Sequence, residues 1–331
     1  MEKRPYRPHR SLFWPIILIG VGVIWLLGNI GAIAAFDLPV LFHLWPILLV
    51  FVGLDILAGR RSPLVGAVLG GLALALVVFF LVGGRQLGLS SNVQIKTEKF
   101  TAPVGQATSA SVLLALSDSP TTISALTNSS NLIEADLTYI GSINFRATGT
   151  QRKVVSLARN EADFLLFSPL YWDASLNWKV YLNPRIPTDL NINGGSGESL
   201  VDLSRLELTS LKASMGSGAS AFTVPAGGPA PRVQAMGGSG SMDWTIPSGA
   251  AVELHLSGGS GSINVHLPSA QPVRLEIREK ASSGISFPSS WVQAPSPAGV
   301  QATWQTPGFT TGGRAIQIVV DEIGSGGIHI S

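Results

Sequence analysis

Residues 189–268 read DLNINGGSGESLVDLSRLELTSLKASMGSGASAFTVPAGGPAPRVQAMGGSGSMDWTIPSGAAVELHLSGGSGSINVHLP, and one short cassette recurs there four times. The copies are Gly194-Gly195-Ser196-Gly197, Met215-Gly216-Ser217-Gly218, Gly237-Gly238-Ser239-Gly240 and Gly258-Gly259-Ser260-Gly261, with starts 21, 22 and 21 residues apart. A fixed period of that size means stacked structural units. Four positions before each start stand Leu190, Leu211, Val233 and Leu254. Seven and nine positions after each start stand Val201/Leu203, Phe222/Val224, Trp244/Ile246 and Val265/Leu267. Three of those pairs run straight into Pro225, Pro247 and Pro268. Each unit therefore reads as strand, Gly/Ser corner, strand, Pro-marked corner. One such unit cannot bury its apolar face alone, but stacked copies align equivalent residues in ladders about 4.8 Å apart per layer. The expected fold is a parallel β-solenoid with repeats of 21–22 residues. Glycine is expected at the cassettes because tight corners need positive φ and close stacking.

The chain has 331 residues, room for two domains and a sizeable core. Residues 1–85 hold seven Lys/Arg and three Asp/Glu, net +4, while 86–331 hold fifteen and seventeen, net −2. The basic excess thus sits at the N-terminus, and no Lys/Arg run interleaved with aromatics points to nucleic acid. The absence of cysteine excludes a disulfide framework, a thiolate zinc site and a Cys nucleophile.

Residues 1–11 form a basic tail carrying Lys3, Arg4, Arg7 and Arg10. Three apolar spans follow, at 12–31, 38–58 and 63–84, with Asp55 the single charge within them. Twenty residues at 1.5 Å each cross a hydrocarbon core of ~30 Å, so three transmembrane helices are expected. Ala32-Ile33-Ala34 mimics a signal-peptidase site, but two further spans argue against a cleaved signal. Small residues at Gly20, Gly22 and Gly28 allow close approach of helix backbones. Asp55 is read as an interfacial partner of Arg60. Lys/Arg lie in the tail and at Arg60-Arg61, and the loop between the first two spans has none. The positive-inside rule then places the N-terminus in the cytoplasm and everything after residue 84 outside it.

The first two spans repeat each other: Trp14-Pro15-Ile16-Ile17-Leu18-Ile19 and Trp45-Pro46-Ile47-Leu48-Leu49-Val50 are offset by 31. This Trp-Pro pattern, with Gly20, Gly22 and Gly53, resembles the membrane region shared by LiaI and LiaF proteins of bacterial responses to cell-wall-active antibiotics. The resemblance covers about residues 12–58.

After a polar linker at 85–96, residues 97–183 carry strand signals. Ser111–Leu116 and Thr121–Leu126 are apolar-rich runs separated by the turn signal Asp118-Ser119-Pro120. Leu132–Tyr139 alternates, with Ile133, Ala135, Leu137 and Tyr139 on the buried side. Asn128-Ser129-Ser130-Asn131-Leu132-Ile133-Glu134-Ala135, then Trp178, Val180, Leu182, Pro187, Asp189 and the cassettes, are similar to the toast-rack β-repeat domain, which is related to adhesin-like domains. That resemblance covers about residues 97–331 and has the family's order, membrane region first. The repeats span 184–331. Ala281-Ser282-Ser283-Gly284 stands as a fifth cassette with Ile277 in the inner ladder, and Ile323-Gly324-Ser325-Gly326 restores the pattern 42 residues on. Between them, 288–315 reads as a loop insertion.

Solenoids include polysaccharide lyases and hydrolases, whose chemistry needs clustered carboxylates on one outer face. The outward rows are Asn191, Lys212, Gln234 and His255; Asp202, Thr223, Thr245 and His266; and Leu200, Ala221, Asp243 and Asn264. No two acids fall on adjacent layers of one row. Asp202 and Asp243 read as solvated or turn-stabilising residues, and His255, His266 and His329 as scattered surface histidines. The cassettes precede no helix and no Lys-Ser/Thr, so they are not phosphate loops. No catalytic residue, metal ligand or cofactor is expected. Trp291, Trp304 and Phe309 sit in a Pro/Gly-rich stretch where no core face claims them. They are the candidate partner-binding residues, with capping of the solenoid's side as the competing role.

The resemblance implies a non-enzymatic, multi-pass protein of the bacterial cytoplasmic membrane. It implies a role in sensing or regulating envelope stress, through another membrane protein such as a sensor kinase. A structural or adhesin-like module binding cell-wall glycan is the alternative. The partners expected are the lipid bilayer and one of these, with no nucleic acid.

Overall fold

The computed structural model describes residues 12–29, 47, 49–59, 63–83, 95–116, 118–160, 176–278, 284–310 and 314–331. They fall into two compact units, one holding the helices and one holding every described strand.

In the first unit, α1 (Phe13–Asn29) and α2 (Pro63–Gly83) carry no charged side chain. Residues 49–54 are helical and run into one π-helical turn, Asp55–Gly59. The two helices pack where side chains are smallest. A Cβ on Gly20 would meet the Leu74 methyls, and one on Gly70 would lie 3.3 Å from Ile16 Cβ. Gly22 faces open space, so only one of those two glycines serves the close approach. Outward, Leu18, Ile19, Leu64 and Leu72 are exposed, which suits an apolar surrounding. Counting only described residues, no helix is long and apolar enough to cross a membrane. The expectation of three crossing helices is therefore not met as stated. Two helices stand at the first and third spans, and residues 38–46 and 48 of the second lie outside the described residues. Asp55 is buried, and Arg60 lies outside the described residues.

The second unit is all β. Its first strands are β1 (Ile95–Pro103), β2 (Ser109–Ala115), β3 (Thr121–Ala125), β4 (Asn131–Ile140), β5 (Ile143–Thr148), β6 (Arg152–Arg159) and β7 (Asn177–Leu182). The cassette region gives β8 (Thr188–Asn193), β9 (Ser199–Asp202), β10 (Leu208–Ser214), β11 (Ser220–Thr223), β12 (Arg232–Met236), β13 (Met242–Thr245), β14 (Val252–Ser257) and β15 (Ile263–His266). The chain ends with β16 (Val273–Ile277), β17 (Ile285–Ser286), β18 (Val292–Ala294), β19 (Ala302–Gln305), β20 (Ile316–Glu322) and β21 (Ile328–Ile330).

Each coil gives one strand to each of two facing sheets, ordered β1-β4-β7-β3-β9-β11-β13-β15-β21-β17 and β18-β19-β16-β20-β14-β12-β10-β8-β2-β6-β5. The four cassette coils stack in parallel and in sequence order. Leu190, Leu211, Val233 and Leu254 are in register and essentially unexposed. So are Val201, Phe222, Trp244 and Val265 on the other sheet, with the Phe222 and Trp244 rings stacked 4.3 Å apart. Burying two such ladders face to face supplies the core, at about 25 cal/mol for each Å² of apolar surface removed from water.

The expected all-parallel solenoid needs correction at both ends. Antiparallel β1 and β4 cover β7, antiparallel β5 covers β6, and antiparallel β19 and β18 continue from β16. An uncovered end would leave rows of unpaired backbone groups, and reversing the chain there ends the repeat. Spatial order also departs from chain order. The coil of β2 and β3 lies between that of β6 and β7 and that of β8 and β9. The last coil, β20 and β21, lies between that of β14 and β15 and that of β16 and β17. Beside Leu254 therefore stands Ile318, and Ile277 is one coil farther, beside Val320.

The cassettes are corners, but one of the two expected reasons for their glycines fails. No glycine of the first four cassettes has positive φ; Gly284, in the fifth, does at 126°. Close stacking is the cause. A Cβ on Gly216, Gly238, Gly259 or Gly324 would run into a carbonyl of the layer below.

Candidate partner-binding site

The segment 288–315 is not wholly a loop. Its strand β19 lies antiparallel on β16, which sets Trp304 opposite Leu275 on the inward side. Trp291 is only 7% exposed, and the Phe287 ring packs 5.7 Å from Trp291 and 5.2 Å from Trp304. Trp291 joins the main core, and Phe287 and Trp304 pack against it half-buried. The pairing of β19 with β16 explains Trp304, which packs half-buried against the core beside Leu275, while Thr303 on the other face is fully buried. Phe309 closes a turn, its N–H donating to Thr306 O at 3.2 Å, and is half-exposed. A cavity of about 420 Å³ opens beside this cluster, lined by Trp291, Pro268, Pro272, Pro288 and Pro307 among others. Thr306 ties its wall to β16: its hydroxyl accepts from Val273 N–H at 3.1 Å and its N–H donates to Val273 O at 3.0 Å. The fold brings Trp291 and Trp304 together around Phe287, and Phe309 stands at the turn that follows.

The outer rows hold polar pairs. Asp202 Oδ1 accepts from Ser204 N–H at 3.0 Å, a turn bond as expected, whereas Asp243 Oδ1 accepts from Asn264 Nδ2 at 2.7 Å, a bond between adjacent coils rather than within a turn. His266 bonds Ser331 at 3.2 Å, and His329 bonds Ser286. His255 departs from the surface-histidine expectation. It is 5% exposed, with Nδ1 2.8 Å from Asp321 Oδ2 and Nε2 2.8 Å from Glu253 Oε1. Arg232 approaches the same nitrogen at 3.4 Å, and Arg278 holds Asp321 at 2.8 Å. Glu253-x-His255 puts both side chains on one face of β14, a legible signal. Asp321 was not, because it arrives on the out-of-order coil. Among the described residues no group of three His, Asp or Glu side chains is placed to hold a metal.

Two family models match the sequence. The LiaF transmembrane domain matches residues 13–96, and the N-terminal domain of toast_rack matches residues 90–243. No curated protein matches it. Among solved structures it is similar to the crystal structure of a "putative cell adhesion protein" from Clostridium sporogenes. That likeness has 17% identity and a TM-score of 0.43, over 71% of this chain and 99% of the other.

Proposed function

We propose, from the premise that the chain belongs to the LiaF-like family, that it is a non-enzymatic, membrane-anchored envelope protein that senses or regulates envelope stress by protein contact. The order of the two matched domains carries the reading: a LiaF transmembrane domain followed directly by a toast-rack domain. The apolar spans 12–31, 38–58 and 63–84 anchor it in the cytoplasmic membrane, with the N-terminus inside and the β unit outside, as the Lys/Arg placement favours. The partner is another membrane protein, such as a sensor kinase.

The contact surface is the C-terminal end of the solenoid. Phe309 presents a half-exposed ring, and the Pro-lined cavity beside Trp291 and Trp304 accepts an apolar side chain from the partner. The test is photo-crosslinking from the neighbouring exposed position 310 in the full-length protein in native membranes. Recovery of one membrane protein, lost on Phe309→Ala, is expected. Recovery of cell-wall glycan with no membrane protein would overturn the reading in favour of an adhesin-like module. An unchanged transcriptional response to wall-active drugs after deletion would remove the regulatory role.

A further inference from the structure

We propose that the opposite end of the solenoid holds a binding site for an oxyanion, a phosphate or carboxylate borne on a small hydroxyl-rich molecule. The topology builds the site. Strand β3 lies in parallel between β7 and β9, so the carboxyl ends of all three strands meet at one edge. The loop after β3, Thr127-Asn128-Ser129-Ser130, is therefore flanked by the turn after β7, which carries Arg185, and the turn after β9, which carries Arg205. Loop and turns line one cavity of about 740 Å³, within the range of small-ligand pockets.

The charge of that lining is one-sided. Both arginines are exposed, neither has an acidic partner among the described residues, and no lining residue is acidic. Guanidinium forks match the two oxygens of a carboxylate or phosphate. Two cations facing one cavity repel until an anion sits between them. Around them stand hydroxyl and amide groups from Thr127, Ser130 and Asn128, all exposed. No aromatic ring lines the cavity, so the platform on which neutral sugars stack is missing.

The loop is held in shape before any ligand arrives. Asn128 has φ 51°, the single positive value among the described non-glycine residues. Asparagine tolerates that conformation better than most residues, and such backbone persists only where its surroundings fix it. The surroundings do so here. The Ser129 hydroxyl accepts from Asn131 N–H at 3.1 Å and donates to Glu134 at 2.6 Å. Asn131 Nδ2 also donates to Glu134 at 3.0 Å, and Lys99 pairs with it at 2.6 Å. The Arg185 turn is tied to the same frame: Asn183 Nδ2 donates to Asn131 O at 2.8 Å, and Asn183 Oδ1 accepts from Arg185 N–H at 3.0 Å. Five hydrogen bonds and an ion pair thus hold the loop and the turn before Arg185 in one shape.

The test is calorimetric titration of the full chain in detergent micelles with sn-glycerol 3-phosphate, glucuronate, inorganic phosphate and N-acetylglucosamine. Glycerol 3-phosphate or glucuronate should bind with a Kd of about 1 mM or tighter, weakening with added salt, and neutral N-acetylglucosamine should not bind. Arg185→Ala and Arg205→Ala should each weaken binding about 10-fold or more, while Lys212→Ala, outside the lining, changes nothing. Neither exposed arginine makes an ion pair, so both variants should keep the wild-type melting curve, which separates lost binding from lost folding. The proposal is overturned if neither organic anion binds, if inorganic phosphate alone binds, or if binding survives removal of both arginines.

Discussion

Replacing Gly240 by alanine isolates the reason for the Gly/Ser corners. A Cβ at that position would lie 2.7 Å from both Gly218 C and Ser217 O, and closer still to Gly218 O. All three are backbone atoms of the layer below, which cannot swing aside as a side chain can. Restoring ordinary contact needs the corner to open by roughly 1 Å, against a layer spacing of about 4.8 Å. Such forced packing costs about 1–3 kcal/mol. The opening also strains Gly240 N–H to Gly216 O at 3.3 Å and Gly261 N–H to Gly238 O at 3.0 Å, together worth about 1–2 kcal/mol. Reduced freedom of the unfolded chain offsets about 0.4–1 kcal/mol. The net loss is about 3 kcal/mol, or about 6–12 °C in Tm for a β unit of this size.

Two nearby glycines separate crowding from backbone conformation. Gly227 has nothing within 4 Å of a built Cβ and no positive φ, so Gly227→Ala should raise Tm slightly. Gly228 has equally open space but φ 88°, so Gly228→Ala should cost about 1 kcal/mol. Thermal unfolding of the full chain in micelles, followed by far-ultraviolet circular dichroism, should rank the midpoints Gly227→Ala, wild type, Gly228→Ala, Gly240→Ala. If Gly240→Ala melts with Gly228→Ala or above it, crowding by the layer below is not what requires the glycine.

Trp244 Nε1 is buried without a hydrogen-bond partner, so Trp244→Phe should cost under about 1.5 kcal/mol, against about 3–5 kcal/mol for Trp244→Ala in denaturant titrations. Hydrogen bonds from Lys99, Ser129 and Asn131 hold Glu134 at about 2, below its ordinary 4.5. Its contribution is therefore complete above pH 4.5 and disappears as pH falls towards 2, and Glu134→Gln should flatten the Tm profile in that window. His255→Ala removes the ring between Glu253 and Asp321 and should lower stability by about 1–3 kcal/mol, with His255→Gln recovering part of it in the same melts. Trp291→Ala should cost about 3–5 kcal/mol of stability, whereas Phe309→Ala should leave Tm nearly unchanged and act on crosslinking alone.

The inner ladders were legible because burial repeats with the sequence period. Leu190, Leu211, Val233 and Leu254 occupy one cassette position and one spatial row. The β4 alternation was legible for the same reason, with Ile133, Ala135 and Leu137 fully buried. The aromatic cluster was not. Trp304 turns inward because β19 runs antiparallel on β16, a pairing that no local pattern encodes. The Arg185 and Arg205 cavity was equally hidden, since its loop, Thr127–Ser130, lies 55 or more residues from either arginine in sequence. It exists because β3 inserts between β7 and β9.

The out-of-order coil at the C-terminal end did leave a mark in the sequence, one that periodicity cannot weigh. Reading the cassettes position by position, the second residue is Gly195, Gly216, Gly238 and Gly259 in the first four, Ser282 in the fifth and Gly324 in the last. That position is where a Cβ would strike the carbonyl of the layer below. A coil carrying serine there cannot sit directly on the Gly258-Gly259 corner without parting the layers, and a coil carrying Gly324 can. The chain resolves the conflict by threading its last coil into the gap: Gly324 N lies 3.0 Å from a Cβ built on Gly258, and Gly326 N–H donates to Gly259 O at 3.0 Å. The coil of β16 and β17 lies beyond it, with Gly326 O 3.5 Å from a Cβ built on Gly284. Identical apolar ladders make the coils interchangeable as far as the core is concerned. The corner glycines bear on that degeneracy: the coil stacked directly on the Gly258-Gly259 corner is the one that carries Gly324, and the coil of β16 and β17 stands beyond it.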